Sequence, residues 1–354
     1  MPTRIVIAAG GTAGHVVPAL SVADELRAEG AEVAFIGGER AELELVPAAG
    51  YELHRIRTAG LDRRNPLRAA RAVGLAAAGV GRATRLLREL RPDAVLGAGG
   101  YVAGPVGVGA VLRRVPLVLA EADSHLGLTN RTLAPFARRV CLAFALPGRT
   151  GRRYLVTGRP VPPPATDRAA ARARFGVGGE ETSVLVFGGS LGARSINEAA
   201  IAAFGEAPFH VLHIAGERDY EALRERERSQ RYDLRAYLDL ETFGQALLAS
   251  DLVVARSGGS VFEIASYGRP AVLVPYPHAT ADHQTANARW MADAGAAVVI
   301  ADDELTGPRL ARTTAELLGD RGRLAAMARA SAALARPDAA AVVAHEVLAA
   351  AGRR

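Results

Sequence analysis

VIAAGGTAGH at residues 6–15 and VLVFGGSLGAR at residues 184–194 decide the fold: each is an apolar run, then Gly-Gly-Thr/Ser-x-Gly, then a basic or ionisable residue. The pattern predicts strands at Ile5–Ala9 and Ser183–Phe187, each closed by a glycine loop that opens a helix. Such a turn brings backbone N–H groups and a helix N-terminus where an anion can approach, so both loops are phosphate-site candidates. A dinucleotide fingerprint G-x-G-x-x-G would need glycine at Ala9, and only Gly11 and Gly14 keep its spacing. The weight lies in the pairing of two such loops.

Working outward, a helix with Val16, Leu20, Ala23 and Leu26 on one face follows the first loop, with Pro18 placed where a first helical turn tolerates it. Strands are predicted at Val33–Ile36, Ala94–Leu96 and Leu117–Ala120, separated by Ala-rich helical stretches. The pattern breaks at Thr157–Pro164, where three consecutive prolines suit neither helix nor central strand. It then restarts, with strands at Val211–Ile214, Leu252–Ala255, Ala271–Val274 and Ala297–Ile300. Alternating strands and helices imply α/β architecture: two Rossmann-like domains with parallel sheets facing across a cleft. The expected bounds are 1–160 and 161–335, with a C-terminal helix in 336–354 packing back on the first domain.

A length of 354 residues exceeds what one core usually supports, and 49% hydrophobic with 23% charged residues fits a globular chain. Cys141 is the only cysteine, which excludes a disulfide framework and a thiolate zinc cluster. Met1 runs directly into a strand without a secretory pattern, and no apolar stretch reaches 18 residues, so a cytoplasmic protein is expected. All 43 basic side chains are arginine, which removes a Walker lysine, a Schiff base and a lysine general base. Residues 1–160 hold 22 Arg against 13 acids, a net +9, whereas residues 161–354 hold 21 against 24, a net −3. Within the basic half, Arg55–Arg91 interleaves arginines with Leu61, Leu67, Val73, Leu75, Val80 and Leu86. That pattern suits either a solvated helix face or a surface for anionic lipid headgroups, with nucleic acid the weaker choice.

A third glycine-rich run, Gly97–Pro105, reads as a loop that meets a bulky ligand. His15 ends the first glycine loop at the sheet's carboxyl edge, where an imidazole can accept a hydroxyl proton during attack on an anomeric carbon. Asp123 and His125 are further candidates beyond strand Leu117–Ala120, and Glu121 has a structural reading. In the second half, Arg256–Glu263 follows a strand and opens a helix whose Glu263 suits the two hydroxyls of a ribose. Polar residues from Ala281 to Asn287 can bond sugar hydroxyls. No D-x-D pair is present, so metal-independent chemistry is expected, with Arg194 or Arg256 stabilising a departing diphosphate.

GGTAGH at 10–15, GAGGYVAGP at 97–105, LTN at 128–130, GGSLGAR at 188–194, ARSGGSVFEIA at 255–265 and PYPHATADHQTAN at 275–287 together resemble the MurG family, bacterial glycosyltransferases of peptidoglycan synthesis. The resemblance implies a GT-B fold and an inverting transfer of N-acetylglucosamine from UDP-GlcNAc to the C4 hydroxyl of lipid I. The product is lipid II, made at the cytoplasmic membrane face without metal or other cofactor. It implies His15 as the base and an acceptor site at Gly11, Gly14, His15, Gly100, Tyr101 and Gly104. Donor contacts are implied at Thr12, Ala13, Gly14, Asp123, Arg159, Ser190, Leu238, Gly259, Ser260, Glu263, His283 and Gln284. Asp123 stands where an asparagine is common, Arg159 lies three places before the usual arginine, and His283 replaces a glutamine. Implied partners are the anionic membrane surface and other cell-wall proteins, and no nucleic acid. Another GT-B enzyme with a lipid or natural-product acceptor, a UDP-GlcNAc epimerase and a non-enzymatic nucleotide-sugar binding protein stand as alternatives, the epimerase disfavoured by GAGGYVAGP.

Overall fold

The computed structural model describes residues 2–57, 66–189, 191–226 and 228–352, with backbone alone for 66–76 and Thr280. The chain divides into two compact units, Met1–Pro162 with Arg336–Arg354, and Pro163–Ala335.

Unit 1 runs β1 (Arg4–Ala8), α1 (Ala13–Ala28), β2 (Glu32–Gly37), α2 (Glu42–Ala48), β3 (Glu52–Arg55), α3 (Pro66–Leu90), β4 (Ala94–Gly97), α4 (Gly100–Leu112), β5 (Leu117–Glu121), α5 (Leu128–Leu133), β6 (Arg139–Leu142) and β7 (Tyr154–Val156). Unit 2 runs α6 (Arg168–Arg174), β8 (Ser183–Phe187), α7 (Arg194–Phe204), β9 (His210–Ile214), α8 (Glu217–Arg224), β10 (Tyr232–Arg235), α9 (Leu240–Ala249), β11 (Leu252–Ala255), α10 (Val261–Ser266), β12 (Ala271–Leu273), α11 (His283–Asp293), β13 (Ala297–Val299), α12 (Gly307–Gly319) and α13 (Arg321–Leu334). The last helix, α14 (Ala339–Ala350), belongs to unit 1.

The sheets have strand orders β3-β2-β1-β4-β5-β6-β7 and β10-β9-β8-β11-β12-β13, and every pairing is parallel. A parallel sheet covered on both faces needs continuous apolar strands, and β8, SVLVF, is buried along its whole length. In each sheet the chain reverses its direction of travel at one place, between β1 and β4 and between β8 and β11. Loops diverge at such a switch point and leave a crevice beyond the strand ends. Register fixes which loops those are: Ala8 pairs with Gly97 and Phe187 with Ala255, so both predicted glycine loops flank a switch point.

One core of unit 1 joins Ile5, Ile7, Val16, Leu20 and Phe35 with Val343, Val347 and Leu348 of α14. In unit 2 the core gathers Val184, Val186, Ile196, Phe204, Val254 and Leu310.

Two local readings change. Gly97–Pro105 is not a loop throughout, because α4 begins at Gly100 and buries Val102, Ala103, Pro105 and Val106. Pro18 lies inside α1, which starts at Ala13. A proline there cannot bond the carbonyl four residues back. That carbonyl, on Gly14, instead accepts from the Arg159 guanidinium.

Candidate active site

Helix ends prepare both crevices. In α6, α9, α12 and α13 the N-cap side chain accepts from the first turn, through Asp167, Asp239, Thr306 and Asp320. The four helices that flank the switch points, α1, α4, α7 and α10, have no such bond from Thr12, Gly99, Ala193 or Ser260, a trait they share with α2, α5, α8, α11 and α14. Some of the first donors are taken by the loops themselves, His15 N by the Thr12 carbonyl at 3.0 Å, Val261 N by the Gly258 carbonyl at 3.3 Å and Phe262 N by the Gly259 carbonyl at 3.1 Å, and the positive end of each helix still faces the crevice.

In unit 1, His15 is the third residue of α1 and its ring lies against Gly99, where an added Cβ would come within 2.6 Å of Cδ2. Its Nδ1 is buried without a hydrogen-bond partner. Burial, and secondarily the Arg159 cation, lower its pKa below 6.5, while Asp123 and Glu42 pull it upward. The imidazole is therefore neutral near pH 7, the form in which it can accept a proton.

Gly11, Thr12, Ala13 and Gly14 form the turn before His15, and Gly100 and Tyr101 open α4 beside it. Gly100 has φ +74° and approaches so closely that a Cβ would sit 1.8 Å from the Gly10 carbonyl oxygen. Only glycine suits that contact. Gly104 lies further along α4 and packs toward Thr129 of α5. Asp123 and Arg159 join the cluster through their electrostatic influence on His15. Arg159 is 8% exposed and its Nη2 holds the Gly14 carbonyl. Glu121 is structural as read: its carboxylate accepts from Gly127 N at 2.8 Å, Asn130 Nδ2 at 2.9 Å and Asp123 N at 3.2 Å, fixing the loop after β5. Burial raises its pKa.

Sequence reasoning missed Glu42. This carboxylate is wholly buried and accepts from Gly11 N at 2.9 Å, Gly38 N at 2.8 Å and the Tyr101 hydroxyl at 3.1 Å.

In unit 2, Ser190 lies outside the described residues. Gly192, with φ +72°, brings its loop onto the Ala215 carbonyl, where a Cβ would lie at 2.1 Å. Gly259 and Ser260 end the β11 loop, and Glu263 stands half-buried in the first turn of α10. His283 and Gln284 open α11. Gln284 Oε1 accepts from Tyr276 N at 3.0 Å, and its carbonyl accepts from Ser257 Oγ at 2.7 Å, which ties the loops after β11 and β12 together. Leu238 sits in the loop after β10, at the sheet edge away from β11.

The expectation for Arg256 is corrected. Its side chain is about 10% exposed and its donors are engaged inside the protein. Nη1 donates to the carbonyls of Val274 and Pro275, both at 3.2 Å, and to Asp302 Oδ1 at 2.6 Å, while Nη2 reaches Ser195 Oγ at 2.9 Å. Arg256 gathers the start of α7 and the loops after β11, β12 and β13 rather than reaching into solvent. Arg194 is exposed, with Nη2 3.4 Å from Asp219.

Residues 5–142 match the glycosyltransferase family 28 N-terminal domain, and residues 183–343 match the glycosyltransferase family 28 C-terminal domain. The chain is 44% identical to the UDP-N-acetylglucosamine--N-acetylmuramyl-(pentapeptide) pyrophosphoryl-undecaprenol N-acetylglucosamine transferase of Moorella thermoacetica, over 95% of this chain and 96% of that protein. It is similar to the crystal structure of Acinetobacter baumannii MurG, with TM-score 0.76 and 30% identity, covering 98% of this chain and 100% of that one. A UDP-GlcNAc 2-epimerase from Neisseria meningitidis shares the fold at TM-score 0.68 and 13% identity, covering 98% of this chain and 100% of that one.

Proposed function

The chain belongs to glycosyltransferase family 28, with a two-domain GT-B-like fold, and from that premise we propose that it transfers N-acetylglucosamine from UDP-GlcNAc to lipid I, forming lipid II. The observation that carries the chemistry is the His15 imidazole at the switch point of unit 1, packed against Gly99 with Nδ1 buried and its pKa lowered by burial, at the start of α1 and beside the start of α4.

His15 takes the proton of the acceptor C4 hydroxyl as that oxygen attacks the anomeric carbon. The bond from that carbon to the β-phosphate oxygen breaks, UDP leaves, and the configuration inverts from α to β. Gly11, Gly14, Gly100, Tyr101 and Gly104 form the acceptor surface around His15, and Thr12 and Ala13 reach the donor. In unit 2 the Gly188–Arg194 loop and the α7 N-terminus receive the donor diphosphate, with Ser190 as a contact. Glu263 takes the ribose hydroxyls, the backbone at Leu238 the uracil, and His283 with Gln284 the sugar.

The acceptor's lipid places the reaction at a membrane surface. Among the described residues no helix is long and apolar enough to cross a membrane. Peripheral attachment through unit 1 is supported by Phe136, 62% exposed, in a depression lined by Arg138, Arg139, Arg152 and Arg153. Within Arg55–Arg91, side chains 58–76 lie outside the described residues; in the rest of α3 Arg82, Arg85 and Arg88 are exposed while Leu86 is buried, the pattern of a solvated helix face.

The test is release of UDP from labelled UDP-GlcNAc with and without a lipid I analogue. Acceptor-dependent release is expected, and sugar epimerisation without acceptor would overturn the reading. His15→Ala should lower kcat by about 10²–10⁴ with UDP-GlcNAc affinity kept. Sedimentation with anionic but not neutral vesicles, lost on Phe136→Ser, checks the membrane face.

A further inference from the structure

We propose that Glu42 is a positioning residue of the acceptor site, a single buried carboxylate that locks two substrate loops of unit 1 together and holds the turn that carries His15. The inference rests on the reading of those loops as the acceptor surface.

Three turns of the sheet converge on this one side chain. Gly11 N–H comes from the turn after β1, Gly38 N–H from the turn after β2, and the Tyr101 hydroxyl from the start of α4 after β4. The Tyr101 hydroxyl also accepts from Glu39 N at 3.2 Å, so its position is fixed from both sides. Glu42 therefore joins the glycine turn before His15 to the helix that carries Gly100 and Tyr101.

Glu42 is wholly buried, so it does not contact a substrate. A negative charge beside loops that receive a diphosphate also works against affinity by charge alone. Its contribution lies in geometry: a carboxylate satisfies two backbone donors and a hydroxyl at once, which no neutral side chain of its size does. Gly11 N–H, engaged with Glu42, is withheld from any ligand and fixes the loop's shape instead.

The electrostatic link to His15 gives a signature that scaffolding alone would not. Three charged groups act on the imidazole: Arg159 lowers its pKa, and Asp123 and Glu42 raise it. Removing the Glu42 charge lowers that pKa further, so the acid limb of kcat/KM moves to lower pH.

The experiment compares wild type, Glu42→Gln, Glu42→Asp, Tyr101→Phe and the Glu42→Gln/Tyr101→Phe pair. The assay is acceptor-dependent UDP release, with folding checked by circular dichroism. Glu42→Gln should lower kcat/KM for a lipid I analogue about tenfold or more, leave the KM for UDP-GlcNAc unchanged and shift the acid limb downward. Glu42→Asp should lose activity with the limb in place, because it keeps the charge and shortens the reach. The double variant should be little worse than Glu42→Gln, as for partners in one bond. A folded Glu42→Gln with wild-type acceptor kcat/KM, or with an unmoved limb, overturns the proposal. If Glu42→Gln does not fold, Tyr101→Phe decides: a loss confined to the acceptor supports it, and a wild-type acceptor kcat/KM overturns it. Wild-type protein without acceptor-dependent UDP release would overturn the functional reading instead.

Discussion

The two units are built on one plan and clamped by charges of opposite sign. In unit 1 a carboxylate, Glu42, gathers N–H groups and a hydroxyl from the turns at the carboxyl edge of the sheet. At the same edge of unit 2 a guanidinium, Arg256, gathers two carbonyls, Asp302 and Ser195. The bulk charge runs the other way, +9 in residues 1–160 and −3 in residues 161–354. The sign at a site is set by what its loops need for closure, and the charge of a whole domain is a poor guide to it.

The largest test of this contrast is Arg256→Ala. Removing one partner of a buried ion pair costs about 3–5 kcal/mol, because Asp302 and two carbonyls are left behind. Thermal unfolding and UDP calorimetry should both register the loss, and Arg256→Lys should restore only part of it, since an ammonium lacks the planar fork. Full UDP binding by a folded Arg256→Ala would break the comparison.

Gly192→Ala and Gly100→Ala sharpen it. Both residues have positive φ and both face a carbonyl oxygen, Ala215 and Gly10 respectively. Left-handed backbone alone costs about 1–3 kcal/mol for alanine. Steady-state kinetics should show donor KM rising in the first variant and acceptor KM in the second.

Arg159→Ala should destabilise by about 1–3 kcal/mol, through loss of the hydrogen bond from its charged guanidinium to the Gly14 carbonyl. Arg159 lowers the His15 pKa, so its removal raises it, and the acid limb of kcat/KM moves to higher pH. That shift is opposite in sign to the one expected for Glu42→Gln.

The smallest effect, over one pH unit, is in unit 2. His213 is wholly buried between Tyr232 and Asn197, and burial lowers its pKa from 6.5 to about 3. Between those values the unfolded chain takes up a proton that the folded chain refuses. Stability therefore falls as pH drops through this window, by about 1.4 kcal/mol per pH unit. Denaturant titrations at two pH values would show it, and His213→Leu should flatten the slope.

Much of this frame was legible in the sequence. Strands Ser183–Phe187 and Leu252–Ala255 match β8 and β11 residue for residue, because an apolar run ended by glycine or a charged turn leaves little choice. The strands ELHR, YLV and YDLR of β3, β7 and β10 were not visible. They are short sheet edges, two of them carrying charged residues, and neighbouring strands rather than local pattern make them. The α4 helix was hidden by its glycines and Pro105, whose weak propensity is outweighed by burial of Val102, Ala103 and Val106. At the site, His15 and its glycines announce themselves, but Glu42 does not. It sits next to Leu43, and the structure reverses the expected order, with Glu42 at 0% exposure and Leu43 at 39%. Arg256 misled for the matching reason: its position at a strand end says ligand, and only the fold shows four internal acceptors around it.

The return of α14 to unit 1 also sets a timetable. The ribosome makes β1 to β7 first and α14 last, with all of unit 2 between them. Nascent unit 1 waits with α1 and the face of β4, β5 and β6 around Leu96, Val118 and Cys141 uncovered until Val343, Val347 and Leu348 emerge. Each of those three is worth about 1.5–3 kcal/mol when buried, together comparable to the net stability of a whole domain. The half of the chain translated first is thus the half completed last, and a message truncated near its end would release a finished unit 2 tethered to an open unit 1.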